Sequence, residues 1–76
     1  MKADLPAKMT PREGLAAVVA LRRLADSLEN AQVEQAVREG WSLARVAEAL
    51  GVTRQAVHKK HAGRLAAAGI KPGRQP

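Results

Sequence analysis

The stretch Leu43-Ala44-Arg45-Val46-Ala47-Glu48-Ala49-Leu50-Gly51-Val52-Thr53-Arg54-Gln55-Ala56-Val57-His58-Lys59-Lys60 decides the fold. Val46, Ala47 and Leu50, with Leu43, recur at the spacing of one helical face. Ser42 precedes them as a cap, and Gly51 stops this helix after about two turns. Thr53 then caps a second helix that runs from Arg54 to residue 62 or 65, or on to residue 68 despite Gly63. Ala56 and Val57 face inward on it.

Each position suits two short helices crossing over a tight turn. Ala47 is small where the second helix comes closest. Gly51 takes the left-handed backbone that a three- to four-residue turn needs. Val52 is expected to plug the corner, and Val46, Leu50 and Val57 to hold the crossing angle. Thr53 caps the second helix and can also offer a hydroxyl or amide to a phosphate. An ordinary helical corner also wants glycine and small residues. The order of residues, the basic charge and the polar outer face together favour a helix-turn-helix.

The charge agrees. Thirteen Lys and Arg against seven Asp and Glu give a net +6 on 76 residues. Residues 1–40 are neutral, with six bases and six acids, so the whole excess lies in residues 41–76, where Glu48 alone opposes seven bases. Such segregation points to an anionic partner, nucleic acid first and a membrane surface second.

The segment Gly51-Val52-Thr53-Arg54-Gln55-Ala56-Val57-His58-Lys59-Lys60 resembles the recognition-helix region of small bacterial helix-turn-helix proteins of the homeodomain-like or sigma-factor region 4-like type, a group common in actinobacteria. Gly40-Trp41-Ser42 also resembles that group. The likeness covers residues 40–61 well, the upstream helix loosely, and the two ends of the chain not at all. It implies DNA binding, usually in transcriptional regulation. Lys60 departs from the pattern, standing where many such proteins carry an apolar residue. Either its stem packs there with the ammonium reaching out, or the helix is slightly rotated.

In a helix-turn-helix the start of the second helix enters the major groove. Gln55 can pair with adenine, and Arg54 or Lys59 with guanine or the backbone. His58 can meet a base or a phosphate. Thr53, Ser42 and Arg45 sit at helix starts, where phosphates bind. Lys60, His61 and Arg64 are expected to extend the basic surface, and Lys71 and Arg74 either trail along the DNA or remain solvated.

Upstream, Thr10, Pro11 and Glu13 open a helix with a capping box. The pattern then runs to about residue 39, where Gly40 ends it. Ser27 and Asn30 are capping types that could break or bend this helix, but no Gly or Pro stands beside them. Arg22–Asp26 and Glu34–Arg38 are expected ion pairs. Val33, Ala36, Val37 and Trp41 are expected to close the core of the helix-turn-helix. Leu21, Leu24 and Leu28, with Ala17 and Ala31, form a stripe left uncovered, which points to a homodimer. The expected architecture is all-α with three main helices: a flexible arm over 1–9, a long helix over 10–40, the helix-turn-helix over 41–66 and a flexible basic tail over 67–76.

Other classes fall away. Cysteine is absent, which removes disulfides and thiolate chemistry. His58 and His61 are a poor metal pair without an acid or thiol beside them. So small a core hardly supplies the walls of a catalytic cleft, so no enzyme activity, cofactor or small-molecule ligand is expected. The longest apolar run, residues 15–21, is far short of a membrane span, which predicts a cytoplasmic protein on the nucleoid. The expected function is a homodimeric transcriptional regulator bound to double-stranded DNA. The alternatives are a nucleoid-associated architectural protein of little specificity, and a helical interaction module or antitoxin.

Overall fold

A computed structural model describes residues 8–74. It is all-helical, with α1 over Pro11–Arg38, α2 over Leu43–Leu50 and α3 over Arg54–Ala67, and no strand among the described residues. Helix α1 is continuous through Ser27 and Asn30. Its start follows the expectation with one change. The Glu13 amide donates to Thr10 Oγ1 at 3.2 Å, while the Thr10 hydroxyl donates to the Glu13 carboxylate at 2.8 Å.

All three helices end in the same way. The glycine just past each helix, Gly40, Gly51 or Gly69, has φ of 97°, 71° or 72°. The residue after it donates its amide back into the last turn, Trp41 to Ala36, Val52 to Ala47 and Ile70 to Leu65, at 2.9–3.0 Å. This closes the helix end and turns an apolar residue back toward the bundle. Trp41 packs against the core and Ile70 lies within it. Val52 is 48% exposed, so it does not plug the corner as expected.

The core is Val33 and Val37 from α1, Leu43, Val46 and Ala47 from α2, Val57 and Leu65 from α3, and Ile70 beyond it. Leu50 and Ala56 were expected inside but are exposed. Only the second half of α1 covers the other two helices. Leu50, Val52 and Ala56 therefore border an open groove beside Glu29, Lys60 and His61 instead of being sealed beneath α1. Residues 70–73 also depart from the expected flexible tail. Ile70 is buried, and the Gly73 amide donates to the Trp41 carbonyl at 2.9 Å. Most of the expected arm lies outside the described residues; Met9 rests against Gly14.

The first half of α1 projects from this bundle. The radius of gyration is 15.9 Å, against about 11 Å for a compact domain of this length. Leu15, Val18, Val19, Leu21, Leu24 and Leu28 are each 40–66% exposed. No described helix is long and apolar enough to cross a membrane.

Candidate nucleic-acid interface

Helices α2 and α3 are joined by Gly51, Val52 and Thr53, a three-residue turn at the short end of the three to four residues expected from the sequence. Thr53 Oγ1 accepts the Ala56 amide at 3.0 Å and fixes the start of α3. From there α3 divides by helical geometry. Val57, His61 and Leu65, four residues apart, are buried. Arg54, Gln55, His58 and Lys59 are exposed, and none makes a side-chain hydrogen bond or ion pair among the described residues. Further along the same outer side stand Ala62, Gly63 and Ala66. None of these three carries a side chain longer than a methyl group.

Lys60 and Arg64 are not part of that face. Lys60 Nζ lies 3.2 Å from Asp26 Oδ1 and 3.0 Å from Glu29 Oε2, and Arg64 Nη1 donates to Asn30 Oδ1 at 3.1 Å. Both side chains clamp α3 to α1. Asp26 thus serves Lys60 rather than Arg22, and the expected Arg22 pair is not formed, whereas Glu34 and Arg38 pair at 2.9 Å. The departure at Lys60 from the usual apolar residue has its reason here. Position 60 faces two carboxylates of α1, so a cation suits it better than a methyl group.

His61 was expected on the basic surface. It is instead wholly buried, with Nε2 2.6 Å from Glu29 Oε2 and Nδ1 unpartnered. Its spacing from Val57 and Leu65 carried the signal for burial. The Lys60 ammonium holds the Glu29 carboxyl below its ordinary 4.5, with His61 adding to the effect against the opposing influence of burial. The same contact with Glu29 raises Lys60 above its ordinary 10.5.

A depressed carboxylate stabilises the fold above its unfolded pKa and loses that contribution as pH falls through the folded value. Acid unfolding should therefore lose a Glu29-dependent contribution below pH 4.5. Glu29→Gln should be less stable than the native protein at pH 7 and approach it near pH 3, as followed by urea unfolding monitored by circular dichroism. A stability difference independent of pH would contradict this.

Helix α2 supplies a second set of groups. Ser42 Oγ accepts the Arg45 amide at 3.1 Å, so the hydroxyl is used as the cap. The Arg45 guanidinium lies over the Trp41 ring, 3.7 Å from its centre, a cation–π contact that holds the charge at the start of α2. The sequence placed Trp41 in the core or at a corner; it is half-buried, packing on the core with its ring under Arg45. His58 and His61 diverge, one exposed and one buried against Glu29.

No family model, curated protein or solved structure matches this chain.

Proposed function

We propose that this protein is a helix-turn-helix DNA-binding regulator that reads the major groove with the outer face of α3. The observation that carries the reading is the division of α3. Its bases and hydrogen-bonding side chains at Arg54, Gln55, His58 and Lys59 are free and exposed, while every partnered cation of the same helix is turned toward α1. Four such residues at positions i, i+1, i+4 and i+5 span one side of two turns, the dimension of a groove-reading surface. Thr53, Ser42 and Arg45 flank it and suit phosphate contacts.

The acting species in this reading is a homodimer. Leu21, Leu24 and Leu28 are 60–66% exposed on the projecting helix. Gln32 and Gln35 continue their line into a groove with Ala36, Trp41, Val46 and Leu50 at its floor and walls. A second α1 running antiparallel would cover the leucines and place its own first turns along that groove. Two copies of α3 would then address half-sites one helical turn apart, about 34 Å.

Titration against a duplex carrying the preferred site and against a scrambled one, at several salt concentrations, tests the reading. Specific binding should exceed non-specific binding by about a thousandfold or more. Equal affinities with a steep salt dependence would instead indicate an architectural protein.

A further inference from the structure

We propose that residues 68–74 form a fixed strap that carries Lys71 and Arg74 to the DNA backbone beside the groove that α3 enters, an inference that rests on the DNA-binding reading above. The strap is anchored at both ends. Ile70 is 8% exposed within the core, and its amide donates to the Leu65 carbonyl at 2.9 Å. Three residues on, the Gly73 amide donates to the Trp41 carbonyl, and a Cβ at position 73 would collide with the backbone of Gly40. Only glycine allows the chain to pass there. Between the anchors, Pro72 removes one backbone degree of freedom. Lys71 is thus held on the bundle rather than on a loose tail.

The strap's position decides what Lys71 can meet. It shares a cleft with His58 and Ala62 of α3 and Leu43 of α2, so it stands on the His58 flank of the proposed reading helix. The carboxylates Asp26 and Glu29 occupy the opposite flank, where they hold Lys60. Neither Lys71 nor Arg74 pairs with an acid among the described residues, and both are exposed. Arg74 directly follows the residue bonded to Trp41, whose ring carries Arg45. These bases therefore border the start of α2 and one flank of α3. The phosphates of a duplex engaged by α3 are the anions this flank fits.

Duplex binding by the full-length protein, measured by fluorescence anisotropy from 50 to 300 mM salt, tests the strap. Lys71→Ala and Arg74→Ala should each weaken binding about three- to tenfold and lower the slope of log affinity against log salt by about one, equally for preferred and scrambled duplexes. Arg23→Ala, an equal loss of charge on the projecting helix, should leave the slope unchanged. Gly73→Ala removes no charge, yet should weaken binding as Lys71→Ala does by displacing the strap, with α-helical circular dichroism retained. If the native protein binds duplex and Arg54→Ala weakens it, but Lys71→Ala and Arg74→Ala keep the native slope, the strap proposal is overturned while the α3 reading stands. If the native protein binds no duplex, both fail.

Discussion

Replacing Arg54 and Gln55 together with alanine should weaken binding to the preferred duplex by about thirtyfold to ten-thousandfold, because each of the two bidentate base contacts contributes about 1–3 kcal/mol of discrimination. The fold should survive. Both side chains are exposed and lie outside the core, and Thr53 keeps its cap on the Ala56 amide. Alanine is also a good helix former. The unfolding free energy should therefore change by no more than about 0.5 kcal/mol. Affinity for a scrambled duplex should fall much less, since only one positive charge is lost. Lys60→Ala is the informative contrast. The ammonium is bound to Asp26 and Glu29, so its removal should cost stability at the junction of α1 and α3 and leave base preference unaltered. The opposite outcome, with Lys60 setting preference and Arg54 and Gln55 silent, would mean that α3 presents a different face to its partner.

Leu24→Asp should convert a dimer into a monomer, raising the dimer dissociation constant at least a hundredfold. Leu24 is 66% exposed within one copy, and its neighbours on the stripe, Leu21 and Leu28, are 62% and 60% exposed. In the dimer each substitution removes a leucine contact of about 1.5–3 kcal/mol if fully buried, and it does so in both copies. It also leaves a carboxylate in an apolar interface without a partner. The bundle itself draws nothing from Leu24, because the core begins at Val33. The isolated variant should accordingly stay folded, bind a half-site about as well as the native protein, and lose the advantage of a two-fold symmetric site. Sedimentation equilibrium measures the first effect and anisotropy the second. A native protein that remains monomeric at tens of micromolar would remove the dimer from the account and leave the projecting helix for a different partner.

The helix starts and the ends of α1 and α2 were legible because local chemistry sets them, whereas the end of α3 was left open between residues 62 and 68. Thr10, Ser42 and Thr53 each accept an amide of the first turn, and Gly40, Gly51 and Gly69 supply the left-handed residue past the last. The exposed set at Arg54, Gln55, His58 and Lys59 followed from helical periodicity alone. What escaped depended on contacts between elements distant in the chain. Lys60 and Arg64 look like surface bases until α1 brings Asp26, Glu29 and Asn30 beside them. His61 stands in a basic run, and its composition concealed its register with Val57 and Leu65. Leu50 and Val52 carry an apolar signal, but α1 is not placed to cover them. The expectation of a flexible tail missed the strap, although one local signal was present. Gly69-Ile70 repeats the glycine-then-apolar order of Gly40-Trp41 and Gly51-Val52, and the buried Ile70 is the consequence. The contact of Gly73 with Gly40 and Trp41 spans some thirty residues and had no local signature.

Selection of bound duplexes from a random-sequence pool by the native protein tests the central claim most directly. The account predicts enrichment of a short motif in two copies related by inversion, with centres about 10 base pairs apart, and loss of that enrichment in the Arg54→Ala, Gln55→Ala variant. A pool recovered without sequence bias, or a motif unchanged by those substitutions, would contradict it.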